Sequence, residues 1–288
     1  MNNFVIHTDS GCDISPEMLA EWGVPCVSLT FRFEDDAKEY GNSDMPSKDF
    51  YEKMRNGGIA KTAAVNTETF KGAFEATLKE GKDVLYIGFS SGLSTTYNSA
   101  RLAANELSEA YPDRKIITLD SLCASAGQGL LVRIALDKQA EGASIEETAE
   151  YTQSLVLKLD HWFTVDDLVY LKRGGRVSPT VAFVGNMLGI KPVLHVDNEG
   201  HLVNISKVRG RKTSIQALAD KYGALAEKLD SNMVYISHGD CIDDANELAR
   251  ILNERYGATV SVITYVGPVI GAHAGPGVLA LFFVGKER

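Results

Sequence analysis

The sequence predicts an α/β protein in two domains. The first, 1–160, is an N-terminal mostly parallel sheet with flanking helices; the second, 161–288, is a C-terminal mixed or antiparallel sheet with helices. Three observations carry that reading. The first half alternates short apolar runs with helical-looking stretches, the pattern of strands joined by crossover helices. After His161 a hairpin pattern takes over. At 288 residues, 44% apolar and 23% charged, the chain can bury a sizeable core and has ordinary globular composition.

The elements follow in order. Asn3 to His7 reads as a strand, and Ser15-Pro16-Glu17 as a helix start with its N-cap, N1 proline and first-turn acid. Cys26 to Phe31 reads as one further strand. Helices are expected around Lys48 to Met54 and from about Thr67 to Glu80, with Lys61-Thr62 in the loop between them. Val84 to Phe89 is a buried strand, and Ala100 to Leu107 belongs to the next helix. Lys115 to Leu119 is a strand, followed by a Leu- and Ala-rich helix reaching Glu141-Gly142 and a further helix from Ile145 to about Leu159. In the second half, Lys191 to Val196, Asp197 to Gly200 and His201 to Ile205 make a hairpin around a four-residue turn. A helix from Ser214 to Leu229, a strand at Met233 to Ile236 and a helix from Asp243 to Tyr256 come next. Strands at Val260 to Val266 and Val278 to Val284 flank a glycine-rich link.

Charge and composition exclude several classes. A formal net charge of −9 lacks the broad basic surface that nucleic acid requires. The longest uninterrupted apolar run, Val278 to Val284, is too short to cross a bilayer, and Met1 to Ala20 shows no secretory pattern. The four cysteines, Cys12, Cys26, Cys123 and Cys241, have no metal-ligand spacing, so the expectation is a cytoplasmic protein with no metal site. No Walker loop is present. Gly127-Gln128-Gly129 and Gly275-Pro276-Gly277 both fail the dinucleotide fingerprint.

The stretch Ser90 to Ser99 is the most telling. A buried strand, a hydroxyl-rich turn and a helix start together form a place for an anion, because the first helical turn has free N–H groups and a positive dipole end. Gly88-Phe89-Ser90-Ser91-Gly92 also matches the G-x-S-x-G nucleophile elbow, which makes a serine hydrolase with Ser90 as nucleophile the alternative, with His238 or His273 as its histidine. Asp13 reads as turn chemistry, whereas Asp9 and Ser10 stand as groups shaping a cleft. Arg173 and Arg176 flank two glycines and can either complement a helix end or approach an anion. His273 lies among small residues that allow close approach. His7, His161, His195 and His201 read as structural or surface residues. Lys207, Arg209, Arg211 and Lys212 form a short basic run that reads as a solvated surface by default and as a docking face for an acidic partner in the sharper alternative.

These pieces, in this order, resemble the DegV family of bacterial lipid-binding proteins. The matching segments are Thr8-Asp9-Ser10 with Asp13, Lys61-Thr62, Ser90 to Ala100, Tyr170 to Arg176, Gly189 to Pro192 and Gly267 to Gly277. The family is similar to the fatty-acid-binding subunit of bacterial fatty acid kinase. The resemblance implies a carrier, not an enzyme, holding one long-chain fatty acid such as palmitate, stearate or oleate. Its tail is buried between domains while a separate kinase phosphorylates the carboxylate, and membrane contact is only transient, for lipid exchange. Carried over by position, Thr62 and Ser94 bind the carboxylate. Arg173 and His273 stand near the head group and arriving phosphate, and Ser10, Ser91, Gly92 and Thr95 support the loop. No cofactor is implied. The sequence departs from the family pattern at Ala63-Ala64-Val65-Asn66, where Ser-Gln-Pro-Ser is usual, and at Thr95, where glycine is common.

Overall fold

The computed structural model describes residues 3–177, 189–227 and 233–288. Four parallel strands make the first sheet, in the order β2 (Cys26–Val27), β1 (Phe4–Asp9), β6 (Asp83–Gly88), β7 (Ile116–Asp120). Six strands make the second, in the order β10 (Leu202–Arg209), β9 (Ile190–Val196), β8 (Leu159–Thr164), β13 (Leu279–Val284), β11 (Val234–His238), β12 (Val260–Tyr265). This sheet is antiparallel throughout except for the β11–β12 pair. The α/β class, with a parallel N-terminal and a mixed C-terminal sheet, is as the sequence predicted.

A third sheet was not anticipated. β3 (Thr30–Phe33) pairs antiparallel with β4 (Tyr40–Gly41) and β5 (Ala60–Ala63). The expected single strand from Cys26 to Phe31 is therefore two strands in different sheets. Thr62 lies on β5 opposite Phe31, not in a loop between helices. Phe31 and Phe33 alternate inward on β3 and pack on Phe50 of α2 (Ser47–Arg55), a period-two signal too short to stand out in sequence.

Three of the described α-helices start where a side chain satisfies their free N–H groups. Ser15 caps α1 (Pro16–Glu21) and Asn66 caps α3 (Thr67–Lys79). Ser144 and Glu147 form a reciprocal capping box on α6 (Ile145–Val156). That helix ends three residues before Leu159, which already belongs to β8, so position 160 falls inside a strand. Beyond β8 lie the short α7 (Val169–Arg173), α8 (Arg211–Leu225), α9 (Ile242–Tyr256) and α10 (Pro268–Ala274). The last is a helix inside the segment read only as a glycine-rich link. Pro268 at its first turn is the signal that marked it.

The element that joins the halves is α5 (Ala126–Ala140), packed against β1 and β6 on one side and β8, β11 and β13 on the other. Its first ten residues are buried except Arg133, as a helix between two sheets requires. One core cluster consequently runs from Phe4 and Leu85 through Leu130 and Leu131 to Phe163 and Phe282. Gly127 permits a close approach: a Cβ there would stand 2.4 Å from Nε2 of His161.

Candidate functional site

A cavity of about 510 Å³ opens among the three sheets. Its floor follows the pleat of the six-stranded sheet. Val278, Ala280 and Phe282 face it at alternate positions near and along β13, with Phe163 opposite Ala280 and His161 opposite Phe282 on β8. From Val278 to Phe282 the strand advances roughly 14 Å at about 3.4 Å per residue. Leu29, Phe89, Val266 and Val269 add apolar wall.

One end of this cavity is polar. Thr62, Ser91, Ser94, Thr95, Arg176 and His273 all line it. The Thr62 hydroxyl and Nε2 of His273 lie 2.9 Å apart. Ser94 Oγ is 2.9 Å from Thr96 Oγ1, and Thr96 in turn accepts from the Val65 backbone N–H at 3.4 Å. Thr96 opens α4 (Thr96–Ala110), so this chain of hydroxyls links the helix start to the end of β5. Thr62, Ser94 and His273, far apart in sequence, are thus brought together around a cavity end with neutral donors.

His273 is neutral at neutral pH. Burial, with the Arg176 guanidinium adding to it, pushes its pKa down to about 4. Its Nδ1 has no hydrogen-bond partner and rests against Gly174, where a Cβ would stand 2.1 Å away. The first glycine after α7 is therefore required by contact with His273. It has ordinary φ, and Gly175 beside it takes the left-handed conformation. Arg176 is half-buried and donates through Nε to the Leu93 carbonyl oxygen at 3.2 Å and through Nη1 to that of Gly174. Its position in the lining was left open by the sequence. Arg173 lies outside the lining, exposed, with its guanidinium over the Tyr170 ring.

The loop residues divide in the same way. Ser91 and Thr95 reach the cavity; Ser10 and Gly92 support it from behind. Ser10 Oγ accepts from the backbone of Leu29, a wall residue, at 2.9 Å. Gly92 lies so near the β9–β10 turn that a Cβ would be 2.7 Å from the Glu199 carbonyl oxygen. Asp9, fully buried, accepts from the Tyr86 hydroxyl and from the Phe89 and Gly11 backbone, and so fixes the strand end that carries the serine loop.

Ser90 does not have a nucleophile's surroundings. It is fully buried, its hydroxyl donates to the Gly200 carbonyl oxygen at 3.0 Å, and it accepts from Gly92 N–H at 3.2 Å. His273 is engaged with Thr62, and His238 accepts from the Cys241 backbone. Among the described residues no group of three or more His, Cys, Asp or Glu could hold a metal ion. No described helix is long and apolar enough to cross a membrane. The cavity wall also contains His161, which the sequence placed among structural residues, and Ser125 and Ser237, which it did not single out.

A family model described as "Uncharacterised protein, DegV family" matches residues 3–286. The chain belongs to the DegV family. A DegV domain-containing protein of Clostridium perfringens is 41% identical over 290 residues, covering 100% of this chain and 99% of the relative. Among solved structures, a DegV lipid-binding protein from Thermotoga maritima is 31% identical with a TM-score of 0.86, covering 100% of both chains. A DegV family protein from Thermus thermophilus, described by its fatty acid binding, is 28% identical with a TM-score of 0.88 over 98% of this chain and 99% of its own. Both structures share the α/β architecture described above.

Proposed function

We propose that this DegV protein is a cytoplasmic carrier that binds one long-chain fatty acid, its tail in the cavity between two α/β domains and its carboxylate at Thr62 and Ser94. The observation that carries the reading is the cavity itself: about 510 Å³, hydroxyl-rich at one end and apolar along its floor. That volume is typical of a small-molecule site. The lipid and fatty acid binding of the two structural relatives supports it.

The energetics divide between tail and head. Each buried methylene contributes about 0.8 kcal/mol, so a chain of roughly fifteen supplies on the order of 10 kcal/mol before association costs. A buried carboxylate without partners is heavily penalised. Neutral hydroxyls and the helix-start N–H groups offset that penalty without a tight cationic clamp, leaving an oxygen free to react. His273, with Thr62 on one nitrogen, and Arg176 complete the surroundings, and Arg173 stands further out, toward the side from which a phosphate would arrive.

The reaction belongs to a partner. The sequence carries no nucleotide-binding motif, and on this reading a separate kinase forms the acyl phosphate while membrane contact is brief, for lipid exchange. Palmitate, stearate and oleate are the candidate ligands. Native mass spectrometry of the purified protein, followed by lipid extraction, tests this directly: one fatty acid per chain is expected. An empty protein that also fails to take up added fatty acid would overturn the reading. Ser94→Ala should weaken binding about tenfold, the worth of one hydrogen bond to a charged group. Unchanged affinity would remove Ser94 from the head-group role.

A further inference from the structure

The apolar stretch of the cavity is interrupted by two hydroxyls that the head-group site does not use. Ser125 and Ser237 both line it, and both are buried. Ser237 lies on β11 in register with Ala280, which is in register with Phe163 on the next strand, so it belongs to the tail's floor. Ser125 Oγ is 2.8 Å from Ser237 Oγ and 2.6 Å from Oδ2 of Asp13, itself fully enclosed.

Ordinary structural duty does not explain this cluster. Ser125 is in N-cap position on α5, yet its side chain makes no capping bond and turns to Asp13 instead. It does so at φ 55° and ψ −148°, a conformation that non-glycine residues adopt only under constraint. Such outliers gather at ligand sites.

We propose that Asp13, Ser125 and Ser237 form a second polar subsite, selecting an acyl chain that carries a hydroxyl group within its length. This rests on the fatty-acid reading above. The donor count explains why a hydroxyl fits. With Asp13 ionised, Ser125 donates to it and Ser237 donates to Ser125, so Ser237 offers the cavity only lone pairs. With Asp13 protonated the chain reverses, Asp13 donating to Ser125 and Ser125 to Ser237, and Ser237 offers a proton. A hydroxyl can donate in the first case and accept in the second; a ketone or ether can only accept. His161 Nε2, a buried atom of the same wall without a hydrogen-bond partner, is closed off by Gly127 and takes no part.

The test is a hydroxyl walk. Saturated fatty acids of one length, each with its hydroxyl on a different carbon, are titrated against the protein beside the unsubstituted acid. One interior position should bind about tenfold or more tighter than its neighbours, because elsewhere the hydroxyl is buried without a partner. In Ser237→Ala the ratio between that position and the others should collapse. Should that variant not fold, the methyl ether of the preferred acid, titrated at about pH 9 where Asp13 is ionised and Ser237 has only lone pairs to offer, answers the same question in the unaltered protein by losing the preference. Affinities that are flat along the chain, or a ratio that persists in Ser237→Ala or the ether, would overturn the subsite while leaving fatty acid binding intact. No binding of the unsubstituted acid would overturn both.

Discussion

Two histidines stand on the wall of one cavity, and each has a ring nitrogen pressed on a glycine. His161 meets Gly127 at the start of the central helix, and His273 meets Gly174 at the end of α7. Burial holds both in the neutral form, His161 well below its ordinary pKa and His273 at about 4. Their other nitrogens differ. Nδ1 of His161 lies 3.0 Å from the Leu159 carbonyl oxygen, which can only accept, so that nitrogen bears the proton and the ring is locked. Nε2 of His273 meets the Thr62 hydroxyl, which can donate or accept, so either tautomer fits. One ring is a strut between sheets. The other can adapt to a ligand.

Substituting each glycine separates the two roles. In Gly127→Ala the new methyl would meet His161 Nε2 at 2.4 Å and Phe282 at 2.7 Å, both in the core shared by the two large sheets. Overpacking of that kind costs about 3 kcal/mol, read as a lower urea midpoint with unchanged slope. Gly174→Ala should instead act on the ligand. Its methyl would meet His273 Nδ1 at 2.1 Å, and α7 is short and part-exposed, so the chain can yield while the ring is pushed off Thr62. Fatty acid affinity should fall about tenfold, equivalent to ~1.4 kcal/mol, with a much smaller loss of stability. Equal destabilisation by the two substitutions would erase the distinction between strut and adaptable ring.

Much of the His273 side was legible in the sequence, and the His161 side was not. The hydroxyl run after β6, which lines one end of the cavity, was conspicuous through residue types alone, and His273 stood out among its small neighbours. Thr62 was harder to place, because Ala60-Lys61-Thr62-Ala63 has no apolar alternation; only pairing with β3 makes it a strand. His161 follows so closely on the helix expected to reach about Leu159 that the strand Leu159–Thr164 went unassigned. A close pair of glycines at a helix start, Gly127 and Gly129, was the available signal that something large packs there. The turn from Arg173 to Arg176 hid which arginine enters the cavity, since local sequence does not say which side of a helix end faces inward.

Thr62→Val probes the adaptable pair more gently. Shape is kept and the hydroxyl is lost, leaving His273 Nε2 without its partner. Affinity should drop about fivefold, near 1 kcal/mol, with the tail's contribution untouched. A larger loss would mean that the threonine also positions the β5 backbone.

The finest separation is by pH. His273 in the folded, ligand-free protein titrates at about 4, below the ordinary 6.5, because burial and Arg176 oppose its charge. The stability gained by keeping it neutral is present above 6.5 and is lost as pH falls from there through 4. A carboxylate bound beside it favours the charged ring, so its pKa should rise on binding and a proton should be taken up. Fatty acid affinity should therefore strengthen as pH falls through the raised pKa of the complex toward 4, for as long as the ligand itself stays ionised. His161, locked by Leu159, should not move. Histidine ring resonances followed by NMR, with and without fatty acid, would show one titration displaced and the other fixed. If both moved, or neither, the carboxylate would not be where Thr62 and Ser94 place it.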